Sequence, residues 1–404
     1  MAAICKEQYS LDRPALYLAF ELSSSTWKLG FTIGHGQRPR ERNISARDLK
    51  ALEWEIDQAK KRFGLPEDAP VLSCYEAGRD GFSRKGIGTM WLHRYLESVG
   101  VLNLVVDSSS IEVNRRKRRA KTDSLDVAKL LTMLLRYHGR EKKVWHVVRV
   151  PTVGQEDNRQ LHREMMALKE ERTRHINRIK ALLTGQGLRM QVRADFLHQL
   201  ETIRLWDGSR LPEGLVGLLQ REHKRLQLVE DQIGELERER KEAIRNSTRP
   251  DIEMVRHLLR LRAIGVNSAW LFTMEFFGWR KFRNQKEVGA LSGLTPTPSQ
   301  SGSTNREQGI GKSGNRYVRA LAIEIACRLA PACRRFSRHE RWGWLRYQPD
   351  SELTRWYEER FAHGSSRMRR IGIVAVARKL LVELWRYLET GVIPEGAVLK
   401  PSLV

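Results

Sequence analysis

Residues 156–245 constrain the architecture of this chain more than any other stretch. Met165, Leu168, Ile176, Ile179 and Leu183 form one apolar stripe at helical spacing. Leu226, Val229, Ile233 and Leu236 step by three and four, with Glu, Arg and Lys at the other positions. Narrow stripes on charged backgrounds specify two long amphipathic helices that bury their seams, as an antiparallel hairpin or an oligomerising coiled coil. The segment between them, 184–214, holds several glycines and Pro212 and reads as irregular or as a small inserted element. A helical connector of this length divides the chain into three parts: 1–150, the connector 151–248, and 249–404.

The first part alternates short strands with helices. Residues 15–21 read as a buried strand, and 26–33 as its hairpin partner across Ser23-Ser24-Ser25. A third strand is expected near 38–44. Leu49, Leu52, Ile56, Ala59 and Phe63 then follow helical spacing. Val71–Glu76 is a strand ending in a carboxylate, 87–99 is helical, and Val101–Asp107 is a further apolar strand. This pattern predicts an α/β layer domain with ligands at strand ends. The last part is mainly α. A helix over 252–261, an interruption at Arg262-Ala263-Ile264-Gly265-Val266 and a helix over 268–277 suggest a helix-hairpin-helix, whose turn amides, around Gly265, grip phosphate. The polar stretch 293–316 reads as a long loop, followed by helices over 317–334 and 366–389.

Charge narrows the partner. Lys and Arg total 72 against 48 Asp and Glu, a net +24. A polyanion is the expected partner, and nucleic acid is favoured over a membrane surface. No apolar run reaches the roughly 18 residues of a membrane span, and the N-terminus lacks a secretory signal pattern. Cys5, Cys74, Cys327 and Cys333 have neither Cys-x-x-Cys spacing nor paired histidines nearby, which fits a reducing cytoplasm.

Four carboxylates fall where an α/β sheet can gather them. Glu21 closes the first strand and Glu76 a central one. Asp123 and Asp126, in Lys-Thr-Asp-Ser-Leu-Asp, stand three apart at a helix start and so share a face. An RNase H-like fold brings acids from strand one, strand four and a late helix to one sheet edge, where two divalent ions can bridge a phosphate. Hard oxygen ligands without His or Cys point to Mg²⁺. Singly, each acid reads as surface or cap, and Asp107, at another strand end, competes for one position. Just upstream, Arg115, Arg116, Lys117, Arg118, Arg119 and Lys121 form a basic run suited to phosphate. Ser301 offers other chemistry, since a serine becomes a nucleophile when a base or metal activates it; Ser-Gly-Ser-Thr is also what a flexible linker looks like.

The succession of strand-acid, Tyr-Glu-Ala-Gly (75–78), Lys-Thr-Asp-x-x-Asp (121–126), helical hairpin, Gly-Leu-Thr-Pro-x-x-x-x-Ser-Gly (293–302) and Lys-x-Gly-Asn-x-x-x-Arg-x-Leu (312–321) resembles the insertion-sequence-one-ten transposases. These DEDD recombinases are related to the Piv and MooV DNA invertases. The resemblance covers roughly 15–390. It implies a RuvC-like N-terminal domain, a coiled-coil connector and a C-terminal transposase domain. It also implies Mg²⁺, two ions per site, on Glu21, Glu76, Asp123 and Asp126. Ser301 then forms a covalent phosphoserine link to DNA, directed by a structured bridge RNA that pairs with donor and target. The implied site is composite, with acids and serine from different subunits, so dimers assemble into a tetramer in a prokaryotic, nucleoid-associated setting. Arg306, Lys312, Asn315, Arg316 and Arg319 become candidate nucleic-acid contacts. Two positions depart from the family pattern: Glu21 stands where Asp is usual, and Ala263 where Pro is frequent. Two rivals use the same residues: a RuvC-like metal-dependent nuclease without a covalent intermediate, and a degenerate nucleic-acid-binding homologue.

Overall fold

The computed structural model describes residues 14–77, 90–112, 122–141, 143–301, 304–311, 314–327 and 343–401, without the side chains of 299, 300 and 304–308. The chain divides into two compact units, Met1–Val150 and Pro151–Val404.

The first unit is a mixed five-stranded sheet with helices on both faces. Its strands are β1 (Leu16–Leu22), β2 (Thr26–Thr32), β3 (Arg40–Ser45), β4 (Val71–Glu76) and β5 (Leu102–Val106), in spatial order β3-β2-β1-β4-β5. β1, β2 and β3 pair antiparallel through short turns, whereas β4 and β5 join β1 in parallel. Parallel neighbours need crossovers, and α1 (Leu49–Arg62) and α2 (Met90–Ser98) lie in them. β1 is apolar on both faces, as a central strand covered on both sides must be. Leu16, Leu18 and Phe20 pack with Leu52, Ile56 and Ala59 of α1 and with Leu92 and Leu96 of α2. Tyr17 and Ala19 pack on the other side, against Val127, Leu130, Leu131 and Leu134 of α3 (Asp123–His138).

Helix α3 starts where Thr122 accepts a hydrogen bond from the Leu125 amide (3.4 Å), and its first turn carries both aspartates, the charge a helix N-terminus favours. The helix lies close on β2 because that strand offers Gly30 beneath Val127. A Cβ at position 30 would overlap Val127 Cγ1. Ser124 Oγ donates to Glu41 Oε2 of β3 (2.7 Å), and Lys28 Nζ of β2 reaches the same oxygen (3.5 Å). The start of α3 is therefore fixed to the sheet by packing and by polar contacts.

The second unit begins with α4 (Val153–Asp157), α5 (Gln160–Thr184), α6 (Phe196–Thr202) and α7 (Glu213–Asn246). Met165 and Leu168 of α5 meet Val229 and Ile233 of α7, while Ile179 and Leu183 share a core with Leu219 and Leu226. The two helices therefore run antiparallel within one chain. The 184–214 segment is an inserted element: Phe196 and Leu200 of α6 are buried in that same core. Glu222 is buried in the α5–α7 seam, accepting from Arg225 (2.8 Å) and bonded to His175 (2.7 Å).

A larger core follows, built from α8 (Pro250–Arg260), α9 (Val266–Phe272), α10 (Gln285–Ser292), α11 (Arg316–Ala326), α12 (Trp344–Tyr347), α13 (Glu352–Tyr357) and α14 (Ser366–Thr390). Two expectations from sequence change here. The helix expected over 268–277 is α9 running into one π-helical turn, Thr273–Phe277, that turns Glu275 inward. The loop expected over 293–316 contains a hairpin, β6 (Pro296–Ser301) paired antiparallel with β7 (Thr304–Ile310). Of the helix expected over 317–334, α11 ends at Ala326 and residues 328–342 lie outside the described residues. Among the described residues no helix is long and apolar enough to cross a membrane.

Candidate active site

The acidic residues of the first unit are placed by register. β1 and β4 run parallel with Phe20 opposite Tyr75, so Glu21 and Glu76 occupy the next positions on adjacent strands. Both share the parity of Ala19 and Cys74, which pack on the α3 side. Asp123 and Asp126 open the helix that covers this face. Asp126 is half-buried and continues the stripe of Leu130 and Leu134, whereas Asp123 is exposed. All four carboxylates thus belong to one face of the sheet, at the C-terminal ends of its two central parallel strands.

Asp107 is the exception among the candidates. Its Oδ1 accepts from the amide and the hydroxyl of Ser109 (both 2.9 Å), capping the turn Ser108–Ser110. Its parity also puts it on the opposite face, with Val105. It is a turn residue.

An all-oxygen donor set at one sheet end suits a hard divalent cation. The placement of the strands and α3 offers that fit. The side chains themselves are not drawn together: among the described residues, no three His, Cys, Asp or Glu groups stand close enough to share an ion. Arg115, Arg116, Lys117, Arg118, Arg119 and Lys121 lie outside the described residues.

In the second unit, Ser301 ends β6. Its pairing with Thr304 is the outermost of the hairpin, and the residue is exposed. A two-stranded hairpin has little stability of its own, so its base sets where the serine goes. The base is built from close backbone contacts. Gly293 ends α10 in the left-handed region (φ 70°). The Gly311 amide donates to the Thr295 carbonyl (2.9 Å). Gly314 (φ 97°) lies against the Leu291 carbonyl, in space a Cβ would fill. The Asn315 amide donates to that carbonyl (3.1 Å), and Arg319 Nη1 donates to the Ser292 carbonyl (3.3 Å).

Asn315 carries this base into the core. Its Oδ1 accepts from the Tyr317 and Val318 amides (2.9 and 3.2 Å), capping α11. Its Nδ2 donates to Glu275 Oε2 (3.1 Å), and Arg163 of α5 grips the same carboxylate with Nε (2.8 Å) and Nη2 (3.3 Å). Glu275 is wholly buried. Burial works against its charge, yet the Arg163 fork, with Arg159 nearby, prevails and holds the carboxyl below its usual range. His162 beside it is pushed down to about 4 by burial. Both polar ends of the Asn315 amide are thus engaged inside the protein, where the sequence suggested a nucleic-acid contact. Arg319 likewise works at the hairpin base. Arg316 remains outward, its guanidinium 4.6 Å from the Tyr317 ring centroid. The side chain of Arg306 and all of Lys312 lie outside what is described.

Glu275 and Arg163 carry little signal in the sequence. The signal was a lone acid in an apolar run, Met274-Glu275-Phe276. Gly265 sits at the N-terminus of α9 in an extended conformation (φ −94°). Ala263, two residues earlier, takes a left-handed conformation (φ 72°) that suits glycine better. The turn is clamped from outside: Arg262 N donates to the Val398 carbonyl (3.2 Å), Lys400 N to the Arg260 carbonyl (2.7 Å), and Lys400 Nζ to the Ile264 carbonyl (2.7 Å).

Comparison with known proteins identifies the class. The chain is 37% identical over 406 residues, 96% of each chain, to a Sinorhizobium fredii protein named as a transposase, y4rJ. It is 30% identical over 181 residues to the transposase for insertion sequence element IS1328 of Yersinia enterocolitica, covering 45% of this chain and 52% of that one. A Pseudomonas aeruginosa protein named as a family 20 transposase is 29% identical over 188 residues, 46% of this chain and 54% of the other. This is therefore a transposase, a DNA-processing enzyme. Residues 255–340 match the family described as Transposase IS116/IS110/IS902, and the chain belongs to that family.

Proposed function

We propose that this transposase cuts and rejoins DNA through a covalent link at Ser301. The observation that carries the reading is the placement of that serine. It is exposed at the end of a strand, on a hairpin whose base is held to the core by the Gly314–Leu291 contact and by Asn315 on Glu275. In the proposed step Ser301 Oγ bonds to phosphorus as one backbone P–O bond breaks, and the released sugar hydroxyl takes up the serine proton. Reversal on a second end restores the backbone and frees the serine.

Glu21, Glu76, Asp123 and Asp126 are the residues that would hold Mg²⁺. When bound there, the ion would neutralise phosphate charge and ease loss of the leaving oxygen. An RNase H-like reading of the first unit is supported by acids on β1, on β4 and at the head of α3, all on one sheet face. The reading has acids and serine meet on DNA in an assembly of several copies, with a structured guide RNA choosing the sites. The net charge of +24 supports a nucleic-acid partner of this extent.

The test is adduct formation. With DNA carrying an element end, its guide RNA and Mg²⁺, the wild type is expected to leave protein bound to DNA after denaturation. Ser301→Ala is expected to leave none while still binding DNA. Adducts at normal yield in that variant would remove Ser301 as the nucleophile. Free ends without attached protein would favour the nuclease that uses the acids alone.

A further inference from the structure

Helix α14 carries a feature that the serine and the acids do not use. Residues 360–382 contain six cations (Arg360, Arg367, Arg369, Arg370, Arg378 and Lys379) and no acid. The first turns of α14 project from the unit: residues 365–371 are all exposed, the apolar Met368 and Ile371 included. Three arginines there sit at the helix end that disfavours positive charge. A helix does not bury this segment and its own dipole opposes its charges, so folding does not explain the arginines.

Helical geometry sorts them. At 100° per residue, Arg367, Arg370, Val374 and Arg378 share one face, and Arg369 points away from it. Arg378 lies at the far end of this stripe. Its stem crosses Gly289 of α10: a Cβ on Gly289 would stand 3.3 Å from Arg378 Cδ and 3.5 Å from Thr295 Oγ1. Thr295 is the residue whose carbonyl closes the base of the Ser301 hairpin. Further along the helix, Arg386 is paired with Glu383 and Gln285. Arg367, Arg370 and Arg378 have no hydrogen-bond or carboxylate partner among the described residues. The stripe from Arg367 to Arg378 spans about 16 Å at ~1.5 Å per residue, or about five base steps of duplex at ~3.4 Å each.

We propose that this face of α14 is a binding surface for the phosphate backbone of duplex DNA, running from the projecting end of the helix to the base of the serine hairpin. Charge complementarity selects a polyanion. Duplex DNA is selected because the stripe ends beside the hairpin; that step rests on the proposed role of Ser301, whereas the stripe itself does not.

The experiment measures binding apart from chemistry. Full-length protein with Ser301→Ala is titrated against a random-sequence duplex of about 30 base pairs between about 50 and 200 mM salt, and the salt slope is read. Each lost phosphate contact should flatten the slope by about 0.9, so that affinity falls about 3.5-fold less across that salt range. Arg378→Ala should lose about one such contact and Arg367→Ala/Arg370→Ala about two, with unchanged circular dichroism. Arg369→Ala should leave the slope as it was. Unchanged slopes in the stripe variants would overturn the proposal, and so would an equal loss in Arg369→Ala. A loss seen with single-stranded RNA but not with the duplex would also overturn it. None of these results depends on Ser301 being the nucleophile; the adduct assay decides that separately.

Discussion

Replacing Glu275 by Gln tests the link between the helical hairpin and the serine. Gln keeps the shape of the side chain, but it leaves the Arg163 guanidinium without its counter-charge and turns an amide donor toward donors. Removing one partner of a buried pair costs about 3–5 kcal/mol. The Arg163 side chain is 28% exposed and can recruit water, so the low end, about 3 kcal/mol, applies. For a unit of this size that lowers the melting temperature by about 6–12 °C. The activity effect is a matter of leverage. Ser301 lies six residue steps beyond Thr295, about 20 Å of extended chain at ~3.3 Å per step. A tilt of about 3° at the base moves the serine by about 1 Å, enough to cost about 100-fold in a positioned reaction. Adduct formation by Glu275→Gln should therefore slow about 100-fold at saturating DNA, with duplex affinity unchanged. The double variant Arg163→Met/Glu275→Leu, which removes both charges, should be more stable than either single change. If Glu275→Gln melted and reacted like the wild type, the buried carboxylate would not be holding the hairpin base.

Two other perturbations follow from the same contacts. His162 is neutral in the fold, with its pKa pushed from 6.5 down to about 4. Between those values the unfolded chain binds the extra proton, so stability is complete above about pH 6.5 and declines as pH falls toward 4, by about 3 kcal/mol in all. Calorimetric melts from pH 7 to 5 should show this decline, and His162→Leu should flatten it; an unchanged pH dependence in that variant would refute the assignment. Gly30→Ala should push α3 off β2, costing about 1–3 kcal/mol by overpacking, and Val127→Ala in the same chain should recover most of it. Urea midpoints of the three proteins would expose a failure of that pairing.

The sheet was legible in the sequence because its strands are short, apolar and bounded by turns, and because β1 is buried on both faces. The α5–α7 hairpin was legible because its stripes step by three and four. The β6–β7 hairpin was not: Thr-Pro-Thr-Pro-Ser carries two prolines, which signal a loop, and an isolated antiparallel pair tolerates them where a central strand would not. The positions of Glu21, Glu76, Asp123 and Asp126 along their elements could be read from spacing. How closely their side chains approach depends on the packing of α3 over Gly30, and spacing does not encode that. The Glu275 network was hidden because Arg163 and Asn315 lie 112 and 40 residues from it.

The clamp on the α8–α9 turn has a consequence for synthesis. Leu261 bridges Leu399, and Gln348 Nε2 donates to the Arg262 and Val398 carbonyls (3.1 and 2.9 Å). Ala263, in its unfavourable conformation, lies within this clamp, and α9 with Glu275 follows directly. Domains fold in order of emergence from the ribosome, but this turn is complete only when residues near 400 have emerged. The sheet unit can fold early. The unit that carries the serine hairpin gains this support only once residues near 400 have been made, so a nascent chain displays the acids well before it has a braced serine.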